Sequence, residues 1–306
     1  MKGFAVQIEG LHKSYKNALA LQNITVDIKP GELFGFIGPD GAGKTTLFRI
    51  LASLILPDKG KVELMGYDVV QHYKKIRQRI GYMPGRFSLY QDLTVEENLR
   101  FFAGVHGTTI EQNYTLIKDI YSQIEPFKNR PAGKLSGGMK QKLALSCALI
   151  HKPEILLLDE PTTGVDAVSR QEFWHMLQNL KKSGITILVS TPYMDEASLC
   201  DRVALIQKGE IMKVAEPEVI INDFDHSLFG IKTNKMFPLL HDLNEFKLTT
   251  TAYRFGDTIH FVWSKDVNPK TELINWLELK GHQNIDIQPV DPTIEDCFIL
   301  QMKQQN

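Results

Sequence analysis

The sequence has little cysteine and no excess of either charge, and each absence excludes a class of protein. Its three cysteines (Cys147, Cys200 and Cys297) are scattered and lack metal-ligand spacing, so we expect neither a disulfide framework nor a zinc site. The 35 basic and 36 acidic residues give a net charge of −1. Because such a chain has no global electrostatic field, we expect no nucleic-acid partner.

Long apolar runs are also missing. No uninterrupted apolar stretch approaches the roughly 20 residues of a membrane-spanning helix. The first ten residues, MKGFAVQIEG, lack the charged segment and the long apolar segment of a signal peptide. We therefore expect a cytoplasmic chain that touches a membrane only through a partner.

The first two thirds of the chain instead alternate between strand and helix patterns. Strands are predicted at 4–9 and 24–28, and the buried strand ELFGFIG leads through a glycine-rich turn into a helix beginning near Gly43. The middle, 70–134, is predicted to be helical in several pieces. The elements predicted after it are a helix (136–151), a strand (154–159), a helix (168–183) and a strand (185–190). This alternation favours the α/β class, a mostly parallel sheet covered on both faces.

The pattern changes after about residue 222. The remaining segment predicts a strand (LFGIKT), a short helix, a hairpin around Gly256-Asp257, a helix (TELINWLELKG), a strand (NIDIQPV) and a terminal helix. We therefore expect two domains, 1–222 and 223–306, the second a small α+β domain.

One glycine-rich segment has the chemistry of a phosphate site. GPDGAGKTT (38–46) satisfies the G-x-x-x-x-G-K-[ST] pattern after a strand and at the start of a helix, which disfavours a chance match. The glycines let consecutive N–H groups face a phosphate, and the helix N-terminus adds partial positive charge. Lys44 would reach the β and γ phosphates, and Thr45 would ligate Mg²⁺. The candidate nucleotide-binding residues here are Gly38, Pro39, Asp40, Gly41, Ala42, Gly43, Lys44, Thr45 and Thr46.

Two further segments carry chemistry. In EILLLDEP an apolar strand ends at Asp159, which can hold Mg²⁺, and Glu160 can polarise an attacking water; a solvated turn is the alternative. In KLSGGMKQ, Ser136 can cap a helix while Gly137 and Gly138 expose N–H groups to an anion; a flexible cap is the alternative. Since one helix end already serves the chain's own phosphate, the second suits the nucleotide of another copy.

In this order and spacing, GPDGAGKTT, LSGGMKQ, ILLLDEP and the GVD turn resemble the nucleotide-binding subunit of an ABC transporter, over residues 4 to about 220. The resemblance implies a P-loop NTPase cassette with a mostly parallel sheet, an antiparallel β subdomain and a helical subdomain. It implies ATP and Mg²⁺ as cofactors, with two cassettes enclosing two ATP molecules. Tyr15 would stack on adenine, and Asp166 would lie at the dimer seam. The tail, ending DPTIEDCFIL, resembles the accessory domain of daunorubicin-resistance-type export ATPases.

The sequence departs from the family at two positions. The family carries a glutamine after GYMP, where this chain has Gly85, and a histidine after the fifth strand's Ser-Thr, where it has Pro192. Neither residue offers a side-chain donor, although Pro192 also suits the first helical position after a Thr191 cap. We therefore expect a site that binds Mg-ATP and hydrolyses it poorly.

These patterns predict the ATP-binding subunit of an ABC exporter, peripheral at the inner face of the cell membrane. Its partners would be an integral membrane permease and a second cassette on a different chain. The segment Arg86–Tyr90, with Phe87 and Tyr90, would form the groove for a cytoplasmic helix of the permease. Two alternatives stay open: a homodimeric, fully active exporter ATPase, and a soluble ABC ATPase acting on the ribosome or DNA.

Overall fold

The computed structural model describes residues 3–16, 18–86, 88–263 and 270–304. The chain divides into two compact units, Met1–Pro217 and Glu218–Asn306. The helix Pro217–Asn222 therefore falls almost entirely in the second unit, whereas the boundary proposed from the sequence lies at its end. The contacts of Ile220 explain this: its side chain is buried, and its carbonyl accepts a hydrogen bond from the Cys297 thiol at 3.4 Å.

The first unit contains ten strands and six α-helices among its described residues. The strands are β1 (Val6–Tyr15), β2 (Ala18–Ile28), β3 (Leu33–Ile37), β4 (Lys59–Leu64), β5 (Tyr67–Asp68), β6 (Ile80–Met83), β7 (Ile155–Asp159), β8 (Thr186–Thr191), β9 (Arg202–Gln207) and β10 (Glu210–Ala215). The helices are α1 (Lys44–Leu51), α2 (Tyr73–Arg77), α3 (Val95–Val105), α4 (Ile110–Tyr121), α5 (Gly137–Leu149) and α6 (Ala167–Lys182).

The main sheet has the strand order β10-β9-β3-β8-β7-β6, and its pairings are parallel except for that of β10. Strands β3, β7 and β8 are buried along their whole length, as expected for parallel strands covered on both faces. The predicted α/β fold is confirmed. The parallel strands also bring the carboxyl ends of β3, β7 and β8 to one edge, where ligands bind in such sheets.

The middle segment, 70–134, was predicted to be helical in several pieces, but it also contains a strand. Strand β6 lies within it and pairs in parallel with β7. It escaped prediction because four residues are too few to show a periodicity.

A second, antiparallel sheet has the order β2-β1-β4-β5, and helices α3, α4 and α5 pack together. Helices α3 and α4 both begin with a reciprocal capping box, Thr94 with Glu97 and Thr109 with Gln112. The β and helical subdomains implied by the resemblance are therefore present.

The second unit is α+β, as predicted. After α7 (Pro217–Asn222), it contains β11 (Ser227–Lys232), α8 (Met236–Glu245), β12 (Thr251–Phe255), β13 (Thr258–Trp263), α9 (Lys270–Leu279), β14 (Asp286–Pro289) and α10 (Ile294–Gln304). Its sheet has the order β12-β13-β11-β14 with antiparallel pairings, which together with the element order is a β-α-β-β-α-β arrangement. Within the described ranges, none of the helices combines the length and apolar character needed to cross a bilayer.

Candidate nucleotide-binding site

The phosphate loop joins β3 to α1, and packing fixes two of its glycines. A Cβ on Gly38 would lie 2.0 Å from the Ile206 carbonyl oxygen, and one on Gly43 would lie 2.5 Å from that of Ala20. Gly43 also has a φ of 105°, a conformation that L side chains rarely adopt. Neighbouring strands thus require glycine at both positions, whatever the loop binds.

Lys44 begins α1, and its side chain is almost fully buried. Its ammonium donates to the carbonyls of Gly38 at 2.7 Å and Pro39 at 3.0 Å, and it lies 3.2 Å from Glu160 Oε1. Two of the three ammonium donors therefore have carbonyl acceptors within the loop, and the Glu160 carboxylate balances the charge. The structure therefore brings together the lysine and the glutamate that the motifs singled out separately.

Asp159 ends β7 and is buried. Its Oδ1 accepts hydrogen bonds from Ser190 Oγ at 2.6 Å and from Thr45 Oγ1 at 3.3 Å. Carboxylate and hydroxyl oxygens are the hard ligands that Mg²⁺ takes in proteins, and here the two predicted ligands are adjacent. The donor set fits the ion.

Ser190 is a site residue that the sequence reasoning missed. Besides bonding Asp159, its Oγ and its carbonyl oxygen each accept from the Glu160 N–H at 3.0 Å. Glu160 has a φ of 50°, in the left-handed region that a glutamate rarely occupies, so these bonds hold a strained residue in place. The sequence signal that could have identified Ser190 is the polar pair Ser190-Thr191 at the end of an apolar strand.

Gly85 lies against the acidic pair. A Cβ built on it would lie 3.0 Å from the Asp159 carbonyl oxygen and 3.6 Å from Glu160 Cβ. The backbone after β6 thus lies very close to the end of β7. A residue with a Cβ at position 85 would have to push the Asp159 backbone away by a few tenths of an ångström.

The segment after β8 begins at Pro192, beside the phosphate loop: the Thr191 carbonyl accepts from the Gly38 N–H at 3.2 Å. The expectation that Thr191 caps a helix starting at Pro192 is wrong. A 3₁₀ helix begins only at Met194, and its N-cap residue forms no side-chain cap bond. The Thr191 hydroxyl accepts from the Tyr193 N–H at 3.1 Å and donates to the buried Glu196 Oε2 at 2.5 Å.

The predicted helix start at Ser136 is confirmed. Its side chain caps α5 by accepting from the Met139 N–H at 3.3 Å. Ser136 and Gly137 are exposed, whereas Gly138 is buried and a Cβ there would lie 2.6 Å from Ser169 Oγ. This segment therefore packs against the start of α6 through Gly138, so the expectation that Gly138 is open to an anion is wrong, whereas Ser136 and Gly137 are exposed.

Asp166 caps α6, and its carboxylate accepts from the Ser169 N–H at 3.0 Å. This bond lowers the pKa of the carboxyl group. Tyr15 ends β1 as a residue that is 44% exposed, with the Lys13 ammonium 5.8 Å from the ring centre. An exposed ring of this kind offers a face for stacking.

Of the segment 86–90, Ser88 and Leu89 line a cleft of about 280 Å³ formed mainly by β6, the end of α3 and α5. Tyr90 lies outside this lining and packs edge-on against Phe101, with ring centres 4.9 Å apart. Phe87 lies outside the described residues.

Known proteins resemble this chain in sequence and in fold. The ABC transporter family matches residues 21–163. "Nod factor export ATP-binding protein I" of Burkholderia orbicola (strain AU 1054) is 36% identical over 96% of this chain and 95% of its own length. "Probable multidrug ABC transporter ATP-binding protein YbhF" of Escherichia coli (strain K12) is 36% identical over 98% of this chain. The chain spans only 52% of the length of this second relative.

Solved structures agree. The dimeric ATP-binding cassette MJ0796 in a post-hydrolysis state, bound to ADP and Pi, superposes with a TM-score of 0.63 at 27% identity, covering 69% of this chain and 98% of that one. The cbiO1 protein of Clostridium perfringens, part of the ABC transporter complex cbiONQ, gives 0.65 at 26% identity, covering 72% and 92%. Fold and site together define an ATP-binding cassette. The chain belongs to the ATP-binding proteins of the ABC transporter family.

Proposed function

We propose that this chain is the ATP-binding subunit of an ABC exporter, held at the inner face of the cell membrane by a separate permease. The name of one relative, a Nod factor export ATP-binding protein, supports export, and another is named as part of a multidrug ABC transporter. Because those two cargoes differ, they support no particular substrate for this chain.

The chain would hold Mg-ATP through the residues assembled around Lys44. Thr45 and Asp159 would ligate Mg²⁺, which when bound neutralises charge on the β and γ phosphates. Phosphate oxygens would compete for the ammonium with its present acceptors, the carbonyls of Gly38 and Pro39 and the carboxylate of Glu160. Glu160, directly after β7, would polarise the attacking water.

The chain would work as the degenerate half of an asymmetric pair. One observation carries this: Gly85 lies against Asp159 and Glu160, and Pro192 follows the Thr191 carbonyl that bonds the phosphate loop, yet neither offers a side-chain donor. Losing one preorganised donor typically lowers the rate about 10²–10³-fold. The exposed Ser136-Gly137 end of α5 would complete the ATP site of a second, intact cassette.

Purification of the chain alone and together with an intact ABC cassette tests this proposal. The chain alone should bind Mg-ATP and turn it over very slowly, and a mixed complex with an intact cassette should hydrolyse it. Brisk turnover by the chain alone, abolished in Glu160→Gln, would instead establish the homodimeric, fully active exporter.

A further inference from the structure

The second unit ends its sheet at an open strand. Strand β12 stands at one edge of the order β12-β13-β11-β14, and among the described strands only β13 pairs with it. An unpaired edge presents a row of free backbone N–H and C=O groups, to which an extended segment of another chain can add.

An apolar pocket lies beside this edge. It has a volume of about 460 Å³ and is lined by Met236, Phe237, Leu240, His241, Arg254 and Ile259. Four of these residues come from α8, which packs over β12. Phe237 is 94% exposed, so the rim of the pocket presents an aromatic ring that the rest of the described chain leaves uncovered.

The alternation of β12 places Arg254 on the pocket side. Ala252 belongs to the core beneath α8 and α9, whereas Tyr253 packs on the opposite face and donates to Asp296. Side chains alternate along a strand, so Arg254 shares the face of Ala252. It is exposed at the mouth of the pocket.

Arg254 has no ion-pair or hydrogen-bond partner within the described ranges. His241, the other basic group at the pocket, is paired with Glu245 at 3.2 Å. A free guanidinium beside an apolar pocket favours a ligand that carries a carboxylate close to apolar side chains.

We propose that β12 and the α8 pocket bind an extended, acidic and apolar segment of a partner protein, which adds to the sheet as a fifth strand. The new strand would lie about 4.8 Å from β12. Its residues on the α8 side would place an apolar group against Phe237 and Leu240 and a carboxylate against Arg254. The backbone bonds would supply affinity, and these two contacts would supply specificity.

Two synthetic peptides test this with the full-length chain. Both are blocked seven-residue sequences of alternating threonine and valine, one with a central glutamate and one with a central lysine, labelled for fluorescence anisotropy. The glutamate peptide should bind about fivefold more tightly than the lysine peptide. This ratio corresponds to the ~1 kcal/mol of one partly exposed charge pair. Arg254→Glu should reverse this preference.

Phe237→Ser should weaken binding of the glutamate peptide. Leu279→Ser is the matched control, because Leu279 is 86% exposed on α9 and lies outside the pocket. It should leave binding unchanged, and both variants should unfold like the parent since each changes an exposed residue. No binding of either peptide, or equal binding that ignores Arg254 and Phe237, would overturn the proposal. So would self-association of the chain that Phe237→Ser abolishes, because the occupant would then be a second copy.

Discussion

Lys44 and Glu160 form an ion pair in the candidate site, with Nζ 3.2 Å from Oε1, although 115 positions separate them along the chain (160 − 44 − 1). The lysine side chain is 2% exposed and the glutamate side chain 21%. A deeply buried ammonium costs free energy unless acceptors surround it. The loop carbonyls and Glu160 therefore have to stay close to Lys44, and this helps to fix the shape of the phosphate loop. It also holds the carboxylate beside the cation that would face the phosphates.

Lys44→Ala should weaken ATP binding strongly, because it removes the buried cation of the loop and leaves the Gly38 and Pro39 carbonyls without their donor. Calorimetry measures the affinity. Lys61→Ala, which changes an exposed lysine on β4, is the control and should bind ATP normally. Unchanged affinity in Lys44→Ala would refute the assignment of the loop.

Ser136→Arg should abolish hydrolysis by the mixed complex while leaving the chain's own nucleotide bound, because a bulky cation would occupy the exposed end of α5. The substitution also removes the helix cap, which costs about 0.5–2 kcal/mol. Ser136→Ala loses the same cap without adding bulk and should therefore retain most of the activity. Equal ATPase rates in the Arg variant and the parent complex would show that this segment completes no partner site.

A chain ending at Pro217 should remain soluble, unfold cooperatively and bind ATP. A chain ending at Asn222 should be less soluble, because it retains Ile220, which is 1% exposed in the whole protein and would lose the residues that cover it. Circular dichroism during heating and sedimentation compare the two. Better behaviour of the longer chain would place the boundary after residue 222.

Gly85→Gln with Pro192→His should raise the ATPase rate of the isolated chain above that of either single variant. Each restored group could recover up to about 2.7–4 kcal/mol of barrier, without additivity. Gly85→Gln should raise the rate less than Pro192→His, because a Cβ at position 85 meets the Asp159 carbonyl oxygen at 3.0 Å.

Gly85→Ala measures the effect of that contact alone. Glu160→Gln supplies the blank that excludes a contaminating ATPase. A double variant no faster than the parent would mean that the two missing groups do not limit hydrolysis.

The stability of the chain should fall as the pH drops from 6.5 towards 4. Burial, and secondarily the neighbouring His106 ring, lowers the pKa of His151 from its ordinary 6.5 to about 4. Between these values the unfolded chain binds a proton that the folded chain does not, so acid favours unfolding, and the stabilisation is fully present only above pH 6.5.

His151→Phe should therefore flatten this dependence. The two histidine rings stack with centres 3.7 Å apart, and phenylalanine preserves that contact. Urea unfolding at several pH values gives the slope, and Phe102→Leu, in the same cleft, should keep the parent slope. An unchanged slope in His151→Phe would assign the acid sensitivity to other groups.

The sequence by itself determined the phosphate loop, the α/β class and the Ser136 cap. These features are local: a glycine-rich turn, a period of apolar residues or a capping side chain acts within a few neighbouring positions. Short or irregular elements are harder to predict from local patterns, and β6 was missed for that reason.

Only the tertiary structure decided what meets Asp159 and Glu160. The strand order β3-β8-β7-β6 brings the ends of four distant segments together, which places Ser190 on Asp159 and Gly85 beside Glu160. It also decided where the helix after Thr191 begins: the Thr191 hydroxyl is held between the Tyr193 N–H and the buried Glu196 carboxylate, and the helix starts only at Met194. Contacts of this kind depend on which strands become neighbours, and that is set by packing of the whole core.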